Sequence, residues 1–136
     1  MNIKDVRPPE VFKYFNEKVI INKHYEFTCD NRIFFSDTAF KDLINHRYTF
    51  TLEILSMVND TGLATDFHLI DKIYTEHIAV KIDNCLLNET LPEMSTTAEN
   101  IAYWLFEQFD KHLPADDELL KVRLYETKNQ GITITK

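Results

Sequence analysis

The sequence is poor in glycine, proline and cysteine. Its 136 residues include 2 glycines, 4 prolines and 2 cysteines. So few glycines and prolines argue against a disordered, collagen-like or loop-rich chain. Two cysteines can form at most one bridge, which excludes a scaffold held together by disulfides. We expect Cys29 and Cys85 to be reduced thiols that act as small buried hydrophobic side chains.

Long apolar runs and an excess of positive charge are also missing. No run approaches the roughly 20 apolar residues that cross a bilayer, and residues 1–10 lack the basic and apolar parts of a signal peptide. We therefore expect a cytoplasmic protein without a membrane partner. The formal net charge is -7, from 22 acidic against 15 basic residues. Because such a surface repels phosphate backbones, no nucleic-acid partner is expected.

The remaining composition is that of an ordinary globular domain, with 44% hydrophobic and 27% charged residues. A chain of this length forms one domain and buries roughly 68% of the surface that it exposes when unfolded. We predict a single domain over residues 18–136. Residues 1–17 form an N-terminal extension, in which Pro8-Pro9 and the apolar residues 11–15 predict an extended lead-in and a short helical turn.

Hydrophobic periodicity predicts four strands and two helices. Alternation of apolar and polar residues places the strands at residues 18–30, 46–58, 118–127 and 131–136. Helical spacing places the helices at residues 66–80 and from Thr96 or Thr97 to Pro114. The connections are an irregular segment with room for a helical turn at 32–45, a turn at 59–62, an ordered loop at 81–95 and a hairpin at 128–131. The order of elements indicates an α+β layered architecture.

The helix starts carry capping signals. Thr65 is a candidate cap of the first helix, and Asp66 is suited to its first turn, where a carboxylate meets the positive end of the helix dipole. Thr96 or Thr97 can cap the second helix, and Pro114 ends it. These signals predict the helix boundaries independently of the apolar pattern.

Several short phrases along the chain recur, in order and spacing, in one protein family. They are Phe-Thr-Cys-Asp-Asn-Arg at 27–32, Ile-Asn-His-Arg-Tyr at 44–48, Gly-Leu-Ala-Thr-Asp-Phe at 62–67, Asp-Asn-Cys-Leu-Leu-Asn at 83–88, Thr-Thr-Ala-Glu-Asn-Ile-Ala at 96–102 and Tyr-Glu-Thr at 125–127. With them, residues 18–136 resemble the 6-pyruvoyltetrahydropterin and 6-carboxytetrahydropterin synthases. The resemblance implies the tunnelling fold, a four-stranded antiparallel sheet with two helices packed on one face. It also implies a homo-oligomer, either a trimer or a hexamer.

The chain departs from this family at the metal site. The resemblance implies zinc held by three histidines, and the matched positions here are Asn31, Ile44 and His46. Because isoleucine has no lone pair and an amide is a poor zinc ligand, we expect no zinc and no other cofactor, with His46 as a remnant. The other histidines lie outside the matched positions and are not expected to replace the ligands: His24, His68, His77 and His112.

The matched catalytic positions have also changed. The family nucleophile or base, a cysteine or glutamate, corresponds to Phe40, and the histidine that follows an aspartate corresponds to Asn84. A phenyl ring cannot move a proton, and an amide does not titrate near neutral pH. The resemblance therefore leaves Asp83 as a remnant and assigns no residue a catalytic role.

The ligand-recognition positions are retained. Glu126 matches the glutamate that anchors the pterin ring in this family, and Thr96 and Thr97 match its threonine pair. A carboxylate there suits a small heterocycle, a pterin or a purine-like ring with a 2-amino-4-oxo edge, because it accepts charge-assisted hydrogen bonds from two adjacent donors. Without the resemblance, the sequence favours a solvated strand residue at Glu126 and a plain helix cap at Thr96 or Thr97. Only the resemblance favours ligand binding by these residues.

Three functions follow from this pattern. The first is a synthase-like protein that binds the heterocycle but lacks the zinc-dependent lyase centre. The alternative is an active lyase of this type with rearranged ligands, for which Asp83, His46 and Glu126 are the available titratable groups. The third is a structural role in which the fold serves only as an assembly partner.

Overall fold

The structure, a computed structural model that describes residues 1–136, consists of one mixed sheet and a layer of helices. The strands are β1 (Lys18–Phe34), β2 (Phe40–Met57), β3 (Cys85–Leu86), β4 (Glu118–Thr127) and β5 (Gln130–Thr135). The helices are α1 (Phe67–Ile73), α2 (Ala79–Ile82), α3 (Leu87–Thr90) and α4 (Ala98–His112), with a π-helical turn (Tyr74–Ile78) joining α1 to α2. The sheet order is β3-β1-β2-β4-β5, antiparallel except for β3, which runs parallel to β1.

The core lies between one face of this sheet and the helices. The long strands alternate as predicted, so that Phe27, Phe50 and Leu52 point inward and are at most 1% exposed. Helix α4 covers them with a stripe that includes Ile101 and Phe109, both fully buried. The predicted α+β class and the placement of the helices on one face are confirmed. No helix of the chain is both long enough and apolar enough to cross a bilayer.

The strand count and the connection at residues 32–45 were predicted incorrectly. The sheet has five strands rather than four, because residues 85–86 of the predicted loop pair with Cys29 and Asp30 of β1. The segment 32–45 is not an irregular connection with a helical turn but the end of one long hairpin, in which Phe34 pairs with Phe40. The register shifts between Cys29 and Asn31, where β2 contributes one residue more than β1. The buried face of β2 therefore changes from odd-numbered Leu43 to even-numbered Tyr48, which hides the start of this strand from a period-2 pattern.

The helix boundaries differ from the prediction by small amounts. Asp66, rather than Thr65, caps α1, because its Oδ1 accepts the amide of His68 at 2.9 Å. The helical region also continues beyond residue 80, to Ile82. Thr97 is the cap of α4, and its Oγ1 accepts the amide of Asn100 at 3.3 Å. In the N-terminal segment the predicted turn at 11–15 does not form, and a short 3₁₀ turn occupies Ile3–Asp5 instead.

The β4–β5 hairpin allows no side chain at Gly131. An added Cβ would lie 2.6 Å from the carbonyl oxygen of Leu124 and 2.7 Å from a ring carbon of Tyr125. We expect Gly131→Ala to lower the free energy of unfolding by about 1–3 kcal/mol, measured by chemical denaturation, because backbone must move to relieve the overlap. Thr133→Ala on the same strand is the control, and equal stabilities of the two variants would contradict this packing.

Candidate functional site

The candidate site lies at the end of the sheet where β1, β2 and β4 meet the start of α4. Tyr48 occupies its centre, fully buried, with its ring stacked on Phe27 at a centroid distance of 5.1 Å and against the edge of His46 at 4.8 Å. Burial raises the pKa of the Tyr48 phenol, and the neighbouring negative charge of Glu126 raises it further. The phenol therefore stays neutral, and Tyr48 is the side chain that links the predicted site residues.

Asn31 lies deep in this site and is only 2% exposed. Its amide nitrogen donates to the carbonyl oxygen of Thr96 at 2.8 Å and to the hydroxyl of Tyr48 at 3.2 Å. Because a carbonyl can only accept, the Thr96 contact fixes which end of the amide is the nitrogen. The opposite atom, Asn31 Oδ1, is the only buried side-chain polar atom in the chain without a hydrogen-bond partner.

Glu126 follows Tyr125 at a bulge in the β4–β5 pairing, where Tyr125 pairs with Gly131 and Thr127 with Gln130. Its main-chain carbonyl oxygen accepts a hydrogen bond from His46 Nε2 at 2.5 Å. The side chain is half-buried, and its charge is near enough to the Tyr48 phenol to raise the pKa of that group. The carboxylate of Glu126 makes no hydrogen bond within the chain, because the contact with His46 uses the main-chain oxygen. Both carboxylate oxygens therefore remain available as acceptors.

The two threonines occupy different positions. Thr96 is buried, and its hydroxyl donates to the carbonyl oxygen of Arg32 at 3.2 Å and accepts from Asn88 Nδ2 at 3.4 Å. Thr97 is half-buried, and its Oγ1 accepts the Asn100 amide as the helix cap. The cap uses the oxygen of Thr97 as an acceptor, so the hydroxyl hydrogen of Thr97 can still be donated to a ligand.

Asp83 lies apart from the other titratable groups predicted for an active lyase. Its Oδ1 accepts the amide of Thr28 at 3.1 Å, and the amide of Asn84 donates to the Thr28 carbonyl at 2.7 Å. These contacts hold the start of β3 against the outer edge of β1, whereas His46 and Glu126 are on β2 and β4. Strands β3 and β4 are three strand spacings apart, about 14 Å. The structure thus brings His46 to Glu126 but leaves Asp83 with a role in the pairing of β3.

The residues at the matched metal positions do not fit a zinc ion. The Nε2 atom of His46 donates to the carbonyl oxygen of Glu126, which leaves Nδ1 as the one ring nitrogen with a lone pair for a metal. A single nitrogen is too few, because zinc sites use three or four protein ligands. Asn31 directs its nitrogen at two acceptors, and the Ile44 side chain is 68% exposed. No group of three histidine, cysteine or acidic side chains comes together elsewhere in the chain. Phe40, at the matched nucleophile position, packs under the Arg32 guanidinium at 4.0 Å.

The two cysteines are neighbours across β1 and β3, in different environments. Cys29 is 3% exposed, whereas Cys85 is half-buried. Burial raises the pKa of the Cys29 thiol to about 12, and the charges of Asp30, Cys85 and Asp83 contribute. A raised pKa leaves almost no thiolate at pH 8, so we expect iodoacetamide to modify Cys85 at least about tenfold faster than Cys29.

Peptide mass spectrometry over a time course measures this difference in reactivity. Cys29→Ser and Cys85→Ser provide matched controls, since each leaves a single thiol. Alkylation of Cys29 before Cys85 in the folded protein would contradict the buried position of Cys29.

Sequence reasoning missed the polar role of Tyr48 and the cavity beside Asn31. Tyr48 fits the alternating pattern of β2, and that pattern predicts only an inward-facing strand residue. The cavity has a volume of about 440 Å³, lies between the ends of β1 and β2 and the start of α3, and includes Asn31 and Asn88 in its wall. The polar role of Tyr48 could have been inferred from its inward-facing position, because a buried tyrosine hydroxyl usually requires a hydrogen-bond partner. The cavity had no such signal, because only the bulge and the fold of the hairpin bring its residues together.

Sequence comparisons relate most of the chain to known proteins. Residues 20–136 match the sequence family described as 6-pyruvoyl tetrahydropterin synthase. A dihydroneopterin monophosphate aldolase of Pyrococcus furiosus is 30% identical over 90 residues, which cover 65% of this chain and 76% of that protein.

Two solved structures have a similar fold. The 6-pyruvoyl tetrahydropterin synthase of Caenorhabditis elegans matches with a TM-score of 0.74 and 19% identity, over 90% of this chain and 99% of that chain. The same enzyme of Plasmodium falciparum matches with a TM-score of 0.66 and 14% identity, over 89% and 99% of the two chains. These similarities confirm the predicted tunnelling fold.

Proposed function

The chain belongs to the 6-pyruvoyl tetrahydropterin synthase family, and from this premise we propose that it binds a pterin or a related 2-amino-4-oxo heterocycle without a zinc centre. The observation that carries the proposal is the half-buried carboxylate of Glu126, held beside Tyr48 by the bulge and the His46 contact, with neither oxygen engaged. The protein does not enclose these oxygens, so a ligand that brings two adjacent donors can reach them and form a charge-assisted pair.

The edge of a 2-amino-4-oxo ring matches this arrangement. Its ring N–H and its 2-amino group are adjacent donors, and together they can bind both oxygens of Glu126 in a charge-assisted pair. The 4-oxo oxygen of the heterocycle is an acceptor, and the hydroxyl hydrogen of Thr97, the cap of α4, is a suitable donor for it. Thr96 supports the site through its carbonyl oxygen, which holds Asn31.

A ligand panel tests the proposal. By titration calorimetry we expect pterin and guanine to bind, and lumazine, in which an oxo group replaces the 2-amino group, to bind at least about tenfold more weakly. The reason is that lumazine leaves one carboxylate oxygen without its donor. Failure of every 2-amino-4-oxo compound to bind would refute the proposal.

Zinc should be absent from the working protein, because the residues at the matched positions supply no set of metal ligands. We expect protein purified without chelators to contain less than about 0.1 zinc ion per chain by elemental mass spectrometry. Asn31→His combined with Ile44→His recreates a three-histidine set with His46 and is the comparison variant. Near-stoichiometric zinc in the unmodified protein would contradict the absence of a metal centre.

A second candidate is a lyase or aldolase reaction with rearranged groups. Two observations favour it: the position of His46 beside the main chain of Glu126, and the similarity to the Pyrococcus aldolase. The position of Asp83 across β1 argues against it, because the acid and base of such a relay must converge on one substrate atom. Incubation with dihydroneopterin, followed by an assay for aldehyde release, distinguishes the two; we expect binding without turnover.

We also propose a homo-oligomer, a trimer or hexamer, as the assembled form. Strand β5 leaves one edge of the sheet open, and β3 pairs with only Cys29 and Asp30 of β1, so most of that edge is open too. Open edges of this length are normally paired or covered in a stable protein. Joining the two edges between copies forms a closed ring. Light scattering measures the mass, and a uniform monomer would refute this assembly.

A further inference from the structure

Cys29 and Cys85 lie opposite each other on neighbouring strands. They are register partners in the parallel pairing of β1 and β3. Neighbouring strands are about 4.8 Å apart, and the Cα atoms of a disulfide are usually roughly 4.4–6.8 Å apart. Thr28 fixes this register, because its amide donates to Asp83 Oδ1 at 3.1 Å and its carbonyl oxygen accepts the amide of Asn84 at 2.7 Å. The main chain therefore already has the spacing that a bridge between the two cysteines requires.

Both thiols lie on the side of the sheet that the helices cover. Cys29 is part of the core beneath them. Cys85 Sγ lies 3.7 Å from the carbonyl oxygen of Val80 in α2 and 3.2 Å from that of Asp83. The charge of Cys85 is also among the causes that raise the pKa of the Cys29 thiol. A thiol is only a weak donor to a carbonyl oxygen, so the Cys85 side chain can turn toward Cys29 at little cost.

The two thiols differ in their access to solvent. Cys29 is 3% exposed, whereas Cys85 is half-buried and contributes to the wall of a surface cavity of about 230 Å³. A small oxidant can therefore reach Cys85 from solvent, and the nearest thiol to the oxidised sulfur is then Cys29. No third histidine, cysteine or acidic side chain completes a metal site with this pair. Reversible oxidation is thus the chemistry that the pair can perform.

We propose that a hydroperoxide, such as hydrogen peroxide, converts Cys29 and Cys85 into an intrachain disulfide, and that the two residues form a redox-sensitive pair. In the first step the Cys85 thiolate attacks one peroxide oxygen, so that an S–O bond forms, the O–O bond breaks and hydroxide leaves. In the second step the Cys29 thiolate attacks the sulfenic sulfur, so that the S–S bond forms, the S–O bond breaks and a second hydroxide leaves.

The two steps balance. The two thiols lose two electrons, the peroxide gains them, and the two thiol protons convert both hydroxides to water. The bridge ties the edge strand β3 to β1, where only two residue pairs join the strands in the reduced protein. The inference does not depend on the proposed function, because neither step requires a bound heterocycle.

Treatment of the reduced, unmodified protein with hydrogen peroxide tests the inference. We expect the mass of the single chain to fall by about 2 Da, measured by intact mass spectrometry after free thiols are blocked. Digestion without reductant should give two peptides joined through Cys29 and Cys85, and dithiothreitol should separate them. Two free thiols after treatment, or bridges only between chains, would overturn the inference.

Single-cysteine variants test the order of the steps. In Cys29→Ser the sulfenic acid on Cys85 has no neighbouring thiol, so we expect dimedone to label it at least about tenfold more than in the unmodified protein. In Cys85→Ser we expect peroxide to oxidise Cys29 at least about tenfold more slowly than it oxidises Cys85 in Cys29→Ser. Equal dimedone labelling of Cys29→Ser and the unmodified protein would show that Cys29 does not complete the bridge. If a variant does not fold, the mapped bridge in the unmodified protein decides the question.

Discussion

Glu126→Ala is expected to weaken pterin binding by at least about 100-fold, a loss of about 2.7 kcal/mol. The alanine removes both acceptors for the ring, and hydrogen bonds to a charged group contribute about 1.5–3 kcal/mol each. The main-chain contact between His46 and residue 126 does not depend on the side chain, so the fold around the site should persist. Calorimetric titration of pterin into each protein measures the change.

Two further variants test whether the loss of affinity comes from the carboxylate at residue 126. Glu126→Gln keeps one oxygen acceptor without the charge. Its affinity for pterin should lie between those of the unmodified protein and Glu126→Ala, with a loss of roughly tenfold. Glu118→Ala replaces an exposed glutamate at the other end of β4 and should leave binding unchanged. Similar affinities for Glu126→Ala and Glu118→Ala would show that the carboxylate at residue 126 is only a solvated strand residue.

Phe109→Ala is expected to lower the free energy of unfolding by about 3–5 kcal/mol, the largest stability effect that we foresee. Phe109 is fully buried in α4, and its ring lies 6.0 Å from that of Phe50 and 6.1 Å from that of Tyr25, measured between centroids. Removing it leaves a cavity at the contact between the helix layer and the sheet. The melting temperature should fall by roughly 10–20 °C in a calorimetric scan.

Phe35→Ala provides the comparison for Phe109→Ala. Phe35 is 70% exposed at the turn between β1 and β2, so its loss should change stability by less than about 0.5 kcal/mol. A small effect at residue 109, or equal effects at the two positions, would place the core elsewhere than between α4 and the sheet.

The fold could be predicted where one physical signal dominated. The cap and the proline that bound α4 predict its ends to within a few residues of those observed. The alternation of β2 predicts the end of the strand at Met57 but not its start, because the strand begins at Phe40 rather than at His46. The hairpin end at 32–45 could not be predicted, because the alternation of β2 reverses at its bulge. In addition, Phe34 and Phe40 expose aromatic rings where polar residues are expected. Strand β3 has only two residues, and its pairing with Cys29 depends on tertiary contacts.

The candidate site was predictable only through the resemblance to a family. No pattern within the chain distinguishes Glu126 from the other acidic residues, and Thr97 does act as an ordinary cap. The structure adds what spacing could not provide: the link from Thr96 through Asn31 to Tyr48, the contact of His46 with Glu126, and the separation of Asp83 from both. These relations depend on strand order, which the linear sequence does not contain.

The central claim is that the ring is recognised by protein groups alone, in a chain whose matched metal positions no longer provide metal ligands. The most direct measurement is the dissociation constant for pterin, determined by calorimetry first on chelator-treated protein and then in the presence of added zinc. We expect one ligand per chain and the same dissociation constant under both conditions. Binding that appears only after zinc is added would contradict the account.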